Sequence, residues 1–520
     1  MLAQFPILTI LIWLPLVGAF LCLCTGSDKH ANTARTIAVV VSLASLLLCI
    51  PLYLGFDPGR YDMQFTEDHL WIRAYQIHYA LGIDGISLIM VILTNFTGLL
   101  VVIAGCHTIN IRVSQYMAAF LTMQAMIVGV FCAMDAILFY VFWEGMLIPM
   151  YLSIGMWGSS NRSYASIKFF LFTFFGSLLM LVALVYLYNL TGSFMIQNFY
   201  GLPLSLKTQE WLFVAFLFAF AVKVPMWPVH TWLPDAHTEA PAGGSVVLAA
   251  LMLKLGIYGF LRLSMPITPL ACAELAWVMI ILSLVAIVYI GLVAIVQTDM
   301  KKLIAYSSIA HMGFATLGCF MVYDIISHTH TLQDAYMSLE GAVIQMVAHA
   351  FGSGAMFLGI GLMADRFYNH SRLIKDYGGV AHTMPLFAAF FMLFAMSNVG
   401  LPGTAGFVGE FMVIMSAFQA HYWVAGIAAL SLVLSASYTL WMYKRVFFGP
   451  IANSSVAGFT DITWTEKINY ILLGAGVFFV GLYPQPIINV MRVTIGHLLL
   501  QSIPSTLAAN SLINSNLYFG

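Results

Sequence analysis

The feature that most constrains this chain is a series of apolar segments, each about 20 residues long, separated by short breaks. A helix of that length crosses the hydrocarbon of a bilayer, and inside lipid a helix satisfies all of its own backbone hydrogen bonds. We place the segments at residues 5–24, 34–54, 80–104, 113–133, 136–156, 164–190, 211–228, 243–263, 273–297, 303–323, 337–364, 383–419, 421–443 and 468–490. The sequence therefore predicts an all-α polytopic membrane protein with about 14 transmembrane helices.

The composition supports this fold class. Hydrophobic residues make up 61% of the 520 residues and charged residues only 8%, whereas about a quarter of the residues of a soluble domain are charged. The formal net charge of −1 argues against a nucleic-acid partner. No linker is long or polar enough for a separate soluble domain. The apolar N-terminus lacks a basic leader, so we expect a first spanning helix and not a cleaved signal peptide.

The distribution of lysine and arginine predicts the orientation. If the N-terminus faces outward, one set of alternate loops contains Lys29, Arg35, Arg112, Arg162, Lys168, Lys301, Lys302, Arg366, Arg372, Lys375, Lys444, Arg445 and Lys467. The other set contains Arg60, Arg73, Lys207, Arg262 and Arg492. Cytoplasmic loops carry the excess of basic residues. We therefore expect a multi-pass protein of a bacterial inner membrane with both termini on the periplasmic side.

Six ionisable residues lie deep inside the predicted helices, at similar depths when counted at about 1.5 Å per residue. They are Glu144, Lys223, Lys254, His311, His349 and Glu410. A charge at the bilayer centre costs about 2.5–3.5 kcal/mol on insertion scales, so such groups persist only when paired, hydrated or functional. A static Glu–Lys pair could join two helices, and a lone histidine could be a structural hydrogen-bond partner. Six groups at one depth fit a proton relay better.

Other ionisable and thiol groups have simpler interpretations. Asp135, Glu274 and Glu340 lie near predicted helix ends, where we expect them to face water as caps. The seven cysteines form no CxxC pair and lie mostly in apolar runs, as small core residues do. We therefore expect neither a metal site nor a disulfide in this chain.

Two predicted helices combine a deep charge with a break. Lys223 precedes Pro225 and Pro228, whereas Glu410 follows the Pro- and Gly-containing stretch 402–406. Proline and glycine interruptions free backbone groups, which are tolerated inside a membrane where they line a water-filled cavity. Transporters built from inverted repeats have such discontinuous helices at corresponding positions of their two halves.

The two breaks are five helices apart, in helices 7 and 12, which predicts two inverted five-helix repeats. We divide the chain into N-terminal helices 1–3 at residues 1–112, a first repeat of helices 4–8 at 113–263, a second repeat of helices 9–13 at 273–448, and a C-terminal helix 14 with a tail at 466–520.

Four stretches carry a family resemblance: FWEGMLIPMYLSIGMWG, FAVKVPMWPVHTWLPDAHTEAPAGGSVVLAALMLKLG, QTDMKKLIAYSSIAHMGF and NVGLPGTAGFVGEF. They closely resemble the antiporter-like membrane subunits of proton-translocating NADH:quinone oxidoreductase, respiratory complex I, and the resemblance covers almost the whole chain. Glu410 stands where the L-type and N-type members and the cation-antiporter subunits generally have lysine. This glutamate and the length of about 500 residues fit the M-type branch of the family.

The resemblance implies roles for the six deep residues. Glu144 would modulate the protonation of Lys223, and Lys254 would connect this pair to the central axis. The two histidines would lie on that axis, and Glu410 would be the terminal proton carrier of the second half.

The resemblance also implies a subunit of a translocase that couples electron transfer from NADH to quinone to proton pumping, with no redox centre in this chain. NADH, FMN, iron–sulfur clusters and quinone would belong to the parent complex, and the partners would be other membrane subunits, especially the L-type and N-type ones, and lipid. The GIGLMA stretch at 359–364 lies in an apolar helix, so it does not fit a dinucleotide-binding turn.

Three alternatives remain open at the level of sequence. The first is a cation/proton antiporter subunit of a multisubunit exchanger or of a membrane-bound hydrogenase. The second is an electron carrier that binds haem through His311 and His349. The third is a purely structural scaffold, which the cost of six buried ionisable groups disfavours.

Overall fold

The fold is seen in a computed structural model that describes residues 5–26 and 28–504. The first part of the chain forms helices α1 (Ile7–Cys24), α2 (Ala31–Gly55), α3 (Gly85–Thr108), α4 (Val113–Cys132), α5 (Ala136–Gly145), α6 (Leu147–Trp157), α7 (Arg162–Thr191) and α8 (Leu206–Lys223). The middle part forms α9 (Trp232–Glu239), α10 (Ala242–Val247), α11 (Leu253–Gly259), α12 (Met265–Ile267), α13 (Pro269–Glu274), α14 (Ala276–Ile295), α15 (Met300–Thr329) and α16 (Gln333–Arg366).

The last part forms α17 (Val380–Thr383), α18 (Pro385–Val399), α19 (Ala405–Ala420), α20 (Tyr422–Phe447), α21 (Ser454–Ala457), α22 (Trp464–Leu482) and α23 (Gln485–Ser502). Two π-helical turns, Leu248–Met252 and Phe260–Ser264, join α10, α11 and α12 into one continuous span.

The prediction of an all-α polytopic membrane fold is confirmed. Within the described part of the chain, twelve helices are long and apolar enough to cross a membrane. The two other predicted segments are the ones that contain breaks: α8 with the loop that follows it, and the pair α18 and α19. Helix length and composition together therefore support twelve spans, and the division into two inverted repeats stays a prediction.

A β-hairpin precedes α3 and corrects the predicted helix 80–104. Strands β1 (Gln64–Ile72) and β2 (Ile77–Ile83) pair antiparallel. The helix begins only at Gly85, because the carboxylate of Asp84 caps it by accepting a hydrogen bond from the backbone N–H three residues later. The four residues before this cap belong to β2, where their N–H and C=O groups pair with β1.

The predicted last helix, 468–490, is also two helices. The first ends at Leu482 and the second begins at Gln485, with Pro484 and Pro486 at the junction. Proline lacks the N–H that would continue the hydrogen-bond ladder of the first helix, and it is accepted in the first turn of a new one. The predicted tail after residue 504 lies outside the described residues.

The loops predicted to be rich in basic residues meet at one end of the bundle. Arg112, Arg162, Lys301 and Arg372 line a cavity of about 1200 Å³ there, which we call the basic-end cavity. Helix α3 starts directly after the hairpin and ends at Thr108, which also lines this cavity. The hairpin therefore lies at the opposite end, the hairpin end. The structure thus agrees with the predicted grouping of these loops.

The centre of the bundle is formed by α15 and α16. Of the residues in the apolar 18-residue stretch of each helix, 100% in α15 and 94% in α16 are buried. The corresponding fractions are 28% in α2 and 33% in α22. The outer helices therefore present apolar faces to lipid, and the central pair is enclosed by protein. Deep ionisable residues on α15 and α16 are consequently shielded from hydrocarbon.

The close approach of α19 to α16 yields a test of this packing. A Cβ on Gly409 would lie 2.6 Å from the backbone nitrogen of Gln345, so the side chain of alanine does not fit. We expect Gly409→Ala to destabilise the assembled protein by about 1–3 kcal/mol, because the two backbones must separate. The matched control is Gly426→Ala on α20, where nothing lies within 4 Å of the added carbon. Thermal unfolding of the purified variants measures the difference, and equal unfolding temperatures would contradict the packing.

Candidate functional site

Helix α8 ends at Lys223, earlier than predicted. The expected helix 211–228 is therefore too long, and Lys223 lies in the last helical turn and not in the middle of a helix. The N–H of Val224 still bonds to the carbonyl of Phe220 at 2.8 Å, but Pro225 has no N–H to continue the ladder. Pro225, two residues after Lys223, therefore explains why the helix ends at the charged residue.

The Lys223 ammonium is almost completely buried and lies on an aromatic ring. The residue is 1% exposed, and Nζ has no hydrogen-bond partner among the described residues. It lies 5.3 Å from the centroid of the Trp143 ring, within the range of a cation–π interaction. Trp143 directly precedes Glu144 on α5, so one short segment supplies both the ring and the carboxylate that act on the lysine.

Glu144 faces Lys223 without forming a direct ion pair. Their charges interact, but no ion pair within 4.0 Å joins them in the described structure. One carboxylate oxygen, Oε1, is buried and has no partner among the described residues. The predicted helix 136–156 is interrupted here, because Pro149 has no N–H to bond to the carbonyl of Gly145. A break in the helix therefore lies beside Glu144 as well.

Lys254 lies between the two π-helical turns and is 0% exposed. Its Nζ donates a hydrogen bond to the carbonyl of Ala249, inside the first π turn, and lies 2.7 Å from Nδ1 of His349 on α16. π turns inside α-helices are frequent at functional sites. Lys254 thus links α11 to the central helix pair.

The row continues through both predicted histidines to the predicted glutamate. The rings of His349 and His311 have centroids 6.1 Å apart. Nδ1 of His311 lies 2.5 Å from Oε1 of Glu410, and the same oxygen accepts a hydrogen bond of 3.0 Å from Nε2 of Gln345. Nε2 of each histidine and Oε2 of Glu410 are buried and have no partner among the described residues. His349, His311 and Glu410 therefore each have one paired and one unpaired polar atom.

The break between α18 and α19 lies against Glu410, as the sequence indicated. Gly400 and Gly403 have φ values of +83° and +90°, a backbone conformation that favours glycine. A Cβ on Gly400 would lie 3.7 Å from Oε2 of Glu410. The irregular backbone is thus next to the carboxylate.

The structure divides the six predicted residues into two groups. Lys254, His349, His311 and Glu410 form one row of neighbouring side chains, whereas Glu144 and Lys223 form a separate pair. The helices that carry Lys254 and Lys223, α11 and α8, pack closely against each other. A Cβ added to Gly256 of α11 would lie only 2.8 Å from the carbonyl oxygen of Phe220 on α8.

Sequence reasoning missed His237. This histidine is 0% exposed, both of its ring nitrogens are without partners in the described region, and its ring stacks on Phe357 at 4.3 Å. The charges of Lys254 and Lys301 both act on it. This histidine lies between the predicted spans 211–228 and 243–263, in the short helix α9. A histidine just past a proline break was the available signal.

Lys301 connects the basic-end cavity to the interior. It is 4% exposed, although it was predicted in a loop, and its Nζ donates a hydrogen bond of 2.7 Å to the carbonyl of Ala240. Both residues line the basic-end cavity. The series Lys301, His237, Lys254 therefore leads from the cavity toward the central row.

For two of the three residues predicted to be solvent-exposed helix caps, the predicted exposure is wrong. Asp135 does cap α5, but it is 0% exposed because the backbone N–H groups of His78, Ile137 and Leu138 surround its carboxylate. Glu340 lies inside α16 and is 9% exposed, so it is not a solvated cap. Glu274, at the end of α13, is exposed as predicted.

The chain is similar to membrane subunits of respiratory enzymes. It matches the family model described as NADH:quinone oxidoreductase/Mrp antiporter, TM, over residues 133–435. It is 45% identical over 508 residues to NADH-quinone oxidoreductase subunit M of Rhodobacter capsulatus, which covers 95% of this chain and 96% of that relative.

Two solved structures have the same fold. A chain of respiratory complex I from Thermus thermophilus with bound NADH gives a TM-score of 0.84 at 27% identity, covering 96% of this chain and 100% of that one. A chain of the Mrp complex from a Dietzia species gives 0.81 at 20% identity, covering 98% and 99%, a likeness of fold alone. By the family match and the close relative, this chain belongs to the NADH:quinone oxidoreductase/Mrp antiporter family of transmembrane proteins.

Proposed function

We propose that this chain is the M-type, antiporter-like subunit of a proton-translocating NADH:quinone oxidoreductase in a bacterial inner membrane. The observation that carries the proposal is the buried row of Lys254, His349, His311 and Glu410, which crosses the centre of the bundle. The 45% identity to a relative named NADH-quinone oxidoreductase subunit M supports the choice of enzyme. In this assignment the chain moves protons, and NADH oxidation and quinone reduction occur in other subunits.

Each member of the row can accept a proton on one side and release it on the other. Imidazole does this through its two nitrogens, because a proton can bind to one nitrogen and leave from the other. The lysine already donates to Nδ1 of His349, and Nδ1 of His311 already faces Glu410. The ring centroids of the two histidines are too far apart for a direct hydrogen bond, so a water between them would complete the connection.

Protons would enter from the basic-end cavity. The excess of lysine and arginine in the loops at that end supports its assignment to the cytoplasmic side. Lys301, at the inner wall of the cavity, and His237, which interacts electrostatically with both Lys301 and Lys254, provide the intermediate groups. Water would satisfy the unpartnered ring nitrogens of His237, because buried polar groups require hydrogen-bond partners.

Glu144 and Lys223 would control the occupancy of the row. The ammonium of Lys223 is stabilised by the carboxylate and by the Trp143 ring, since it has no other polar partner in the described structure. Withdrawal or neutralisation of the Glu144 charge would favour loss of a proton from Lys223. Moving one charge through 100 mV takes about 2.3 kcal/mol, which sets the scale of the change in proton affinity that redox energy must drive.

The alternative is a cation/proton antiporter subunit, because the Mrp complex shares the fold. Glu410 favours the first assignment, since its carboxylate accepts from Gln345 and pairs with His311, and a lysine ammonium could not accept these bonds. Partners in the first case would be the L-type and N-type subunits. Proton uptake that depends on Na⁺ and is independent of NADH would favour the alternative.

The first prediction about the proposed proton relay concerns Glu144. Glu144→Ala should remove most quinone-linked turnover and proton pumping while the complex still assembles, because Lys223 loses the carboxylate that acts on its charge. Glu144→Asp keeps the charge and should retain part of the activity. Activity is measured per assembled complex in native membranes, and Glu274→Ala, at an exposed helix end, is the matched control. A loss of assembled complex equal to the loss of activity would instead indicate that Glu144 only joins helices.

A second prediction tests the terminal group. Glu410→Gln keeps the size of the side chain and one acceptor oxygen but cannot titrate, so we expect proton pumping to fall by about tenfold or more. Glu410→Lys restores a titratable group but cannot accept the bond from Gln345, so it should pump more than Glu410→Gln and less than the wild type. The measurement is NADH-driven proton uptake into inverted membrane vesicles, normalised to assembled complex. Wild-type pumping by Glu410→Gln would remove this residue from the relay.

A third prediction tests the histidine that the sequence analysis overlooked. His237→Phe preserves the aromatic stack on Phe357 but removes both ring nitrogens, so the fold should survive and pumping should decrease. His230→Phe is the comparison, because His230 is also buried but is not in the electrostatic environment of Lys254. Proton uptake in the same vesicles separates the two variants. Equal pumping by wild type and His237→Phe would mean that protons reach Lys254 by another route.

A further inference from the structure

A cluster of three ligand-type side chains lies away from the relay. Asp324 and His328 are on the last two turns of α15, and His421 lies between α19 and α20. Helix α15 begins beside Lys301 at the basic-end cavity, and its 30 residues run through the bundle, so the cluster is at the hairpin end. One ligand atom from each of the three residues can be chosen so that all lie within 4.8 Å of one another.

We propose that this cluster binds a divalent zinc-class ion. One carboxylate oxygen of Asp324 and one ring nitrogen each of His328 and His421 would be the ligands, with water in a fourth position. Imidazole nitrogen and carboxylate oxygen are common Zn²⁺ ligands, and three protein ligands plus water form a tetrahedral site that remains accessible. The proposal concerns binding at this cluster and does not depend on the proton pathway.

The distances between these atoms suit a metal site. Nε2 of His421 lies 2.9 Å from Oδ2 of Asp324, and Nδ1 of His328 lies 3.4 Å from Oδ1. Ligands at about 2.0–2.1 Å from a tetrahedral ion are separated by just over 3 Å, so only small rotations are needed to surround it.

The local sequence explains why these groups meet. Asp324 and His328 are four residues apart, which places them on one face of α15. The backbone of His421 is extended between α19 and α20, and its ring lies against Asp324 and His328. Its ring packs on Trp277, with centroids 5.1 Å apart, and Trp277 in turn stacks on Trp423. Packing of this kind fixes the orientation of a ligand before the ion binds.

Burial and charge also indicate a cation. The Asp324 side chain is only 5% exposed, and the ion pairs found for it in the described structure are with the two histidines. A buried carboxylate that stays ionised is stabilised by a positive partner, which here is either a protonated imidazole or a metal ion. The His328 side chain is 48% exposed, so an ion can reach the site from water at the membrane surface. A protonated Asp–His cluster without metal is therefore the outcome against which the proposal is tested.

A bound ion would join two helices that matter elsewhere in the molecule. Asp324 and His328 are on α15, which also holds His311, and His421 directly follows α19, which holds Glu410. The ion would fix the ends of α15 and α19 relative to each other. Counted along α15, this point lies about 20 Å from the His311–Glu410 pair.

The test uses the full chain in lipid nanodiscs, stripped of metal with a chelator and titrated with ZnCl₂. We expect the wild-type chain to retain one zinc per chain, by elemental analysis after gel filtration. Because each substitution removes one of three protein ligands, His328→Ala and His421→Ala should each weaken binding in calorimetry by about tenfold or more. The matched control is His330→Ala, an exposed histidine two residues past His328 and outside the cluster, which should bind as the wild type does.

X-ray absorption at the zinc edge identifies the ligands. Nitrogen and oxygen neighbours at about 2.0–2.1 Å, with two imidazoles in the wild type and one in His421→Ala, would support the site. Failure of the wild type to retain zinc would overturn the proposal, as would sulfur ligands or equal binding by wild type and both alanine variants. If His421→Ala misfolds by circular dichroism, His328→Ala decides the outcome, because its side chain is half exposed and its loss leaves the core intact.

Discussion

The cost of placing a charge in hydrocarbon governs the arrangement of this protein. Lys223, Lys254 and Glu410 are each at most 1% exposed, and each would be strongly unfavourable if it faced lipid. The fold places all three inside the bundle, and Lys254 and Glu410 contact side chains of α15 and α16, which are almost entirely covered by other helices. The outer helices are apolar and can face lipid, so the chain separates a polar interior from a hydrophobic surface.

Each deep charge lies beside an irregularity of the backbone. Glu144 is next to the junction of α5 and α6, Lys223 ends α8, Lys254 lies between two π turns, and Glu410 faces the break before α19. A regular helix uses all of its carbonyls internally and offers nothing to a buried charge. An interrupted helix frees some of them, as the bond from Lys254 to the carbonyl of Ala249 shows. The same physical need therefore explains prolines, glycines and π turns at four unrelated points of the sequence.

This dependence also explains what could be predicted from the sequence. The length of the apolar segments predicts the spans. The free-energy cost of a charge inside a span singles out unusual residues, so Lys254 and Glu410 could be identified as candidate site residues without a structure. The hairpin could not, because residues 80–83 at the end of β2 are apolar like the helix that follows them. His237 was missed because it lies in a polar stretch, and only tertiary packing shows that this stretch is buried. Glu340 was misassigned for the same reason, since a position near the end of a segment does not determine burial.

The remaining question is why the row is not continuous. Lys254 and His349 are hydrogen-bonded, as are His311 and Glu410, but the two pairs are separated by the gap between the histidine rings, and Glu144 does not touch Lys223. A fully bonded chain would conduct protons in both directions and could not couple them to an energy source. In the proposed relay, a row divided into bonded pairs would conduct only when water or a small movement closes a gap. Because closing a gap would depend on the charges on both sides, the protonation of Lys223 would influence whether a proton passes, and the gaps would be the places where transport is controlled.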